Sequence, residues 1–221
     1  MLVRPTSRTA CGTSAATSLS KIRIPMIVPL RMVIRRGDEL NVVVASDVSL
    51  RPITVEDWPA VHEWASTEEA CPYQPWGPNT PAQTLAFAED AASAWRQEPQ
   101  SRYVWVAEEG AVVVGLGELK IRSHRWKQSE IAYAVKVGQW GRGIGCAIAT
   151  ELLTHAFQSC GLHRVGATCD PRNYASAAVL ARVGMVHEGR LRQTVQIQDG
   201  WRDSDVYSIL VHEWSSPSPH R

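Results

Sequence analysis

The sequence predicts one mixed α/β domain over residues 48–213, with a central, mostly antiparallel twisted sheet and helices on both faces. Three observations carry this. Residues 118–122 and 128–137 alternate in side-chain character as half-buried strands do, and 102–109 and 111–122 flank the hairpin turn predicted at Glu109-Gly110. Residues 80–97 and 173–184 open on helix-start residues and hold helical spacing. Between these groups, "VKVGQWGRGIGCAIATELL" (135–153) passes from strand through Gly141, Gly143 and Gly145 into an amphipathic helix.

The elements follow in order. "VSLRPIT" (48–54) is the first strand. Thr54 with Asp57 three residues on has capping-box spacing, so a helix follows to about Ser66. Three prolines and a glycine make "CPYQPWGPNT" (71–80) a loop. Thr80, Pro81 and Gln83 supply a cap, a first-turn proline and a reciprocal amide, starting a helix that runs to about Gln97. "RYVWVAEE" and "AVVVGLGELKIR" form a hairpin at Glu109-Gly110, and Glu118, Lys120 and Arg122 lie on a wet face opposite Leu119 and Ile121. In 128–137, Ile131, Tyr133, Val135 and Val137 share one face; Glu130, Ala132, Ala134 and Lys136 share the other.

After the glycines, Ile144, Ile148, Leu152 and Ala156 form one column, and Ala149, Leu153 and Phe157 the next. Thr150, Glu151, Thr154 and His155 face away, and the helix ends near Gly161. "HRVGATCD" (163–170) is a buried strand. A helix capped by Asn173 and stopped by Gly184 follows. "MVHEGRLRQTVQI" and "DSDVYSILV" close the domain as a hairpin around Asp199-Gly200.

Residues 1–47 read as an extension, either flexible or the product of a start placed too early, with Met26 and Met32 as other starts. Residues 1–21, rich in Ser, Thr, Ala and Arg, also resemble a transit peptide. Residues 214–221 read as a tail. Seven Lys/Arg against two Asp/Glu in residues 1–45, and sixteen against twenty in 46–221, leave the domain mildly acidic, which disfavours a nucleic-acid partner. Five scattered cysteines without C-x-x-C suit reduced thiols and a cytoplasmic setting. Seven His without H-x-x-x-H predict no metal site. No apolar run reaches the ~18–20 residues of a membrane helix, so no membrane partner is expected.

A strand, then glycines, then a helix start makes an anion site. The first N–H groups of a helix lack internal partners, and glycines let a phosphate reach them. Walker A fails, because Gly145 precedes Cys146-Ala147 rather than Lys-Ser/Thr. A Rossmann fingerprint starting at Gly141 would need glycine at Cys146, although Asp170 falls where a ribose-binding acid would stand. Its parallel αβ series also conflicts with antiparallel strands.

"WGRGIGCA" resembles the pyrophosphate loop of the GNAT acetyltransferase superfamily, read as Trp140-Gly141-Arg142-Gly143-Ile144-Gly145, with Trp140 in place of the usual Gln or Arg. "NYASAAVLARVGM" (173–185) is similar to that family's second signature, with Met185 in place of the common Phe. The Trp-Gly-x-Gly form resembles the branch of ribosomal-protein N-terminal acetyltransferases. The resemblance spans 48–213 and implies a GNAT fold whose sheet splays between the fourth and fifth strands.

It also implies acetyl-CoA as co-substrate. The pyrophosphate would sit on backbone N–H groups of Arg142 to Cys146, beside Trp140 and Gly141. The pantetheine amides would pair like an added strand with Val135 and Val137, and Asn173 and Ser176 would meet the arm. Transfer needs a neutral amine, although an α-amine has a pKa of ~8 and lysine ~10, and the leaving sulfur needs a proton. Glu130, in a pattern similar to the family's E-I-G-Y, is the candidate base, with Glu118 as second carboxylate. Leu180 stands where many family members place the acidic Tyr, so Ser176 is the candidate acid; Tyr174 is its neighbour in sequence. Trp76 is a candidate wall of the acceptor site. The acceptor is a primary amine, most readily a protein N-terminus. A small-molecule amine such as an antibiotic is the alternative, and a CoA-binding module without catalysis is a third reading. A monomer and a homodimer are both open.

Overall fold

The computed structural model of the protein describes residues 48–215; the expectations for residues 1–47 and for most of the tail lie outside this range. The elements run β1 (Val48–Pro52), α1 (Trp58–Ala65), α2 (Pro81–Ala94), β2 (Arg102–Glu109), β3 (Val112–Ser123), β4 (Gln128–Val135), α3 (Ile144–Thr154), β5 (Arg164–Cys169), α4 (Tyr174–Arg182), β6 (Val186–Ile197) and β7 (Gly200–Leu210). The order is the one the sequence predicts.

The local signals act as expected. Asp57 accepts the Thr54 N–H at 2.8 Å, and two arms of the Arg51 guanidinium at 2.7 and 2.6 Å. Thr80 and Gln83 form the reciprocal cap of α2. That helix stops at Ala94, not Gln97, and Trp95 turns its indole N–H onto the Val104 carbonyl at 3.0 Å.

Seven strands form one sheet in the order β1-β2-β3-β4-β5-β7-β6, antiparallel throughout except at β4–β5. Val104, Val106 and Val113 meet Ala88 and Ala91 of α2 on one face. Trp105, Leu119, Ile131 and Val165 meet α3 and Leu180 of α4 on the other. Gly117 lets α3 lie directly on β3: a Cβ there would come 2.8 Å from Ile148 Cγ2 and 3.2 Å from Leu152 Cδ2. Both predicted columns of α3 are buried.

Two expectations are corrected. His155 does not face away. It keeps helical φ/ψ with its N–H on the Glu151 carbonyl, which places it one helical turn beyond Leu152 on the inner side, and only after it does the helix widen, over His155–Ser159, with Cys160 N–H on the His155 carbonyl. The His155 ring centroid lies 4.9 Å from those of both Tyr103 and Trp105, and burial lowers its pKa. Val137 is not in the strand, because β4 ends at Val135 and the chain turns, with Gln139 N–H on the Lys136 carbonyl at 3.0 Å. At the chain end, Trp214 packs on Phe157 with centroids 5.8 Å apart.

Candidate active site

The site forms where the sheet opens. β4 and β5 pair only from Gln128 to Glu130 against Arg164 to Gly166. Beyond this, Ile131–Val135 pairs with β3 on one side and Ala167–Cys169 with β7 on the other, leaving their facing edges apart. Backbone N–H and C=O groups on such edges need partners, and an extended arm carrying amides can supply them.

At the mouth of this opening, Gly141 and Gly143 adopt φ of +78° and +80°. L side chains rarely hold that conformation, which explains these two glycines. Gly143 is the N-cap of α3 and has no side chain to cap with. The first bond of the helix is Ala147 N–H to the Gly143 carbonyl at 3.0 Å. The N–H groups of Ile144, Gly145 and Cys146 therefore have no protein acceptor among the described residues. Three orphan donors at a helix N-terminus fit a pyrophosphate.

Trp140 has a definite task. Its indole N–H donates to the Val135 carbonyl at 2.9 Å and ties the glycine loop to the end of β4. Arg142 leans the other way, onto Glu109 at 2.8 Å and onto Gln139.

Ser176 and Glu130 lie on opposite faces of β4. Tyr133 points towards α4, where its hydroxyl stands 3.0 Å from Ser176 Oγ and 3.2 Å from the Ser176 carbonyl. Burial pushes the Tyr133 phenol well above its ordinary range, so it remains a neutral donor. The Ser176 N–H in turn donates to Asn173 Oδ1 at 3.0 Å. That bond leaves the Asn173 amide N–H groups for another acceptor. Tyr174 is 79% exposed and Leu180 1% exposed, so neither completes this cluster.

Glu130 shares the α1–α2 face with Ala132 and Ala134. Its carboxylate accepts the Arg122 Nε–H at 2.9 Å and a second guanidinium N–H. Glu118 is held by Arg102 at 2.8 Å, and Arg102 also binds Asp90. Trp76 packs edge-on against Trp64 of α1 at 6.3 Å, in the cluster that covers Ala134. Ala132 is thereby left exposed between Glu130 and the Trp76 wall, on the unpaired edge of the strand.

The loop and the last hairpin meet over this face. Gln198 Nε2–H donates to the Gly77 carbonyl at 3.0 Å, and the Arg172 guanidinium stands 5.6 Å over the Tyr73 ring. Asp170, the residue in the ribose-acid position, is spent on Arg172 through two side-chain bonds of 3.0 and 2.8 Å and one to its backbone N–H. Burial raises the Asp170 pKa, but these bonds outweigh it and hold the carboxylate low.

Residues 47–186 match the family model described as acetyltransferase (GNAT) domain. The chain belongs to the GNAT acetyltransferase family. It is similar to the N-acetyltransferase YnaD of Bacillus subtilis (strain 168), itself uncharacterized, at 26% identity over 167 residues, covering 75% of this chain and 95% of that one. It is similar to Mycobacterium smegmatis RimJ, solved with CoA-disulfide, at 26% identity and a TM-score of 0.68, covering 78% of this chain and 85% of that one. A GNAT acetyltransferase from Bacillus anthracis superposes with a TM-score of 0.65 at 25% identity over 77% of this chain and 98% of that one.

The protein is thus an acetyl-CoA-dependent N-acetyltransferase acting on an amine. The GNAT signatures locate the loop and α4 in the sequence. They do not disclose Tyr133 as the partner of Ser176, Arg122 as the partner of Glu130, or the opening at Ala132. The only advance hint of the first was that Tyr133 shares the inner face of its strand.

Proposed function

We propose that this GNAT enzyme acetylates the α-amine of a protein N-terminus, entering on the α1–α2 face over Ala132. The observation that carries the reading is the small, exposed Ala132 between Glu130 and the Trp76 wall, on the strand edge whose other face carries Tyr133 and Ser176. A slender chain end fits between a loop and a hairpin that touch through Gln198 and Gly77. Bacillus subtilis YdaF, named for a ribosomal target, supports this acceptor class; it matches at 33% identity over 88 residues, covering 40% of this chain and 48% of that one.

Acetyl-CoA, when bound, supplies the thioester. The chain's own groups do the rest. Orphan N–H groups of α3 hold the phosphates, and the edges of β4 and β5 align the arm. Glu130 takes a proton from the amine, directly or through water, after loosening from Arg122. Ser176 Oγ gives a proton to the departing sulfur, and the Tyr133 hydroxyl orients and polarises it. Val135, with its carbonyl tied to Trp140, offers the arm its N–H.

The test is an acceptor screen with acetyl-CoA read by mass spectrometry: peptides with free N-termini, the same peptides with blocked N-termini and internal lysines, and small amines including aminoglycosides and polyamines. Acetylation of free N-termini at a kcat/KM at least tenfold above any small amine is the expected result. Preference for a small amine would replace the reading with that alternative.

A further inference from the structure

The stretch "KIRSHRWK" (120–127) carries Lys120, Arg122, Arg125 and Lys127 and no Asp or Glu, although residues 46–221 are acidic on balance. It forms the end of β3 and the turn into β4. Backbone bonds hold this turn in place. Trp126 N–H donates to Ser123 Oγ at 3.1 Å and Lys127 N–H to the His124 carbonyl at 3.3 Å, while the Lys127 carbonyl accepts the N–H groups of His163 and Arg164 at 2.8 and 3.2 Å. Lys127 holds φ of +50°, where Gly or Asn is the low-cost residue, so the backbone does not explain a lysine here. Trp126 is 63% exposed, with the Arg125 guanidinium 4.8 Å from its ring centroid. Lys120, Arg125 and Lys127 are exposed and make no ion pair among the described residues.

This turn stands at one end of the acceptor face. Lys120 lies directly across from Glu130 in the β3–β4 register, and Arg122 binds Glu130. Gln128, Glu130 and Ala132 follow one another on the same side of β4, with Gln128 and Ala132 exposed. At the far end, β7 runs past Cys169, the last residue of β5, into the hairpin whose Gln198 meets Gly77. That end is roofed, and the end towards Arg125, Trp126 and Lys127 is open. An acceptor with its amine at Ala132 therefore has a basic track beneath the rest of its chain. Gln128 lies about 13 Å from Ala132 at ~3.3 Å per strand residue, a distance that an extended peptide covers in about four residues. We infer that this track recognises acidic side chains at about the fourth to sixth residues of the acceptor's N-terminal segment. A carboxylate arriving at Arg122 also draws it from Glu130 and frees the base. This inference rests on the N-terminal reading and adds a sequence preference to it.

The experiment measures kcat/KM on the full chain for peptides with free N-termini that share their first three residues and carry Asp, Ser or Lys at the fourth to sixth. The enzymes are the wild type and the combined variant Lys120→Gln, Arg125→Gln and Lys127→Asn. Exposed charges add little to stability, so the variant should fold. The wild type should favour Asp over Ser by roughly three- to thirty-fold, mainly in KM, the scale of a few exposed ion pairs, and should use the Lys peptide least. In the variant the three peptides should converge, with the Ser peptide unchanged. Raising the salt concentration should narrow the wild-type preference. Equal use of the three peptides by the wild type, or a preference that survives in the variant, would overturn the inference and leave N-terminal acetylation standing. A single-stranded RNA that inhibits the wild type but not the variant, with no acid preference among the peptides, would give the track to nucleic acid and overturn it as well. Acetylation of none of these N-termini, with small amines accepted, would instead overturn the N-terminal reading itself, and the track with it.

Discussion

At the residue scale, the site divides its work across one strand. Tyr133, with Ser176 beside its hydroxyl, and Glu130 sit on opposite faces of β4, so the proposed acid and the proposed base would reach the reacting centre from different sides. This separation can be read kinetically. Ser176→Ala keeps a good helix former at the start of α4 and should lower kcat by roughly ten- to a thousand-fold, the scale of general acid catalysis, with little change in the KM for acetyl-CoA. Tyr133→Phe should give a smaller loss in the same parameter, because Ser176 keeps its proton and loses only its 3.0 Å partner. Glu130→Gln should show a defect that shrinks as pH rises towards the acceptor's own pKa, since solvent then provides neutral amine. The Ser176 defect should not be rescued in this way. Profiles of kcat/KM against pH with one acceptor check all three, and parallel profiles would dissolve the division.

At the element scale, α3 is the part that must be placed most closely, because its first turn carries the three unpartnered N–H groups proposed to hold the phosphates and its middle is the core. Its seat is Gly117. Gly117→Val would push Ile148 and Leu152 off β3, costing about 1–3 kcal/mol as overpacking does. It should lower both Tm and CoA affinity, although residue 117 touches no ligand; calorimetry on the folded variant would show this. Unchanged affinity would mean that the helix N-terminus is held from elsewhere. The elements themselves were legible in the sequence. Periodicity fixed the faces of β4 and α3, and cap residues fixed the starts of α2 and α4. Their ends were less so. β4 stops two residues early, where Trp140 reaches back to Val135, and α3 runs into a wide turn over His155–Ser159, with the His155 ring packed on Tyr103. Both are set by contacts distant in sequence or by packing, and no local pattern encodes them. The same holds for the pairing of Tyr133 with Ser176, 43 positions apart.

At the scale of the whole molecule, charge pairs tie strands together across the sheet. Arg51 joins Asp57 to Glu108. Arg164 joins Glu188 to Ser208, and Arg190 holds Asp205. Burial raises the Asp57 pKa, but Arg51 and Thr54 outweigh it and leave it low. Arg164 and Ser208 hold Glu188 at about 2. Each carboxylate has a lower pKa folded than unfolded. Each therefore stabilises the fold fully above the ordinary carboxylate range near 4, and that contribution is lost as pH falls through the folded value. Tm should begin to fall below about pH 6.5, where His155 takes up a proton more readily unfolded than buried, and drop most steeply between about pH 4 and 2. Asp57→Asn should cost roughly 2 kcal/mol at pH 7, the scale of a charged hydrogen bond, and its Tm should fall less steeply on acidification. An equally steep fall would place the acid-sensitive pairs elsewhere.

The seam between β4 and β5, paired over three residues, has a consequence beyond catalysis. An open edge within a sheet accepts whatever extended backbone arrives, and the chemistry of that edge does not distinguish a pantetheine arm from a stretch of another polypeptide. Strand addition is also how sheet proteins misassemble. A donor arm lying along this seam would cap the edge, so the protein should scatter more light on warming without CoA than with it, and equal scattering would show that the edge is no liability.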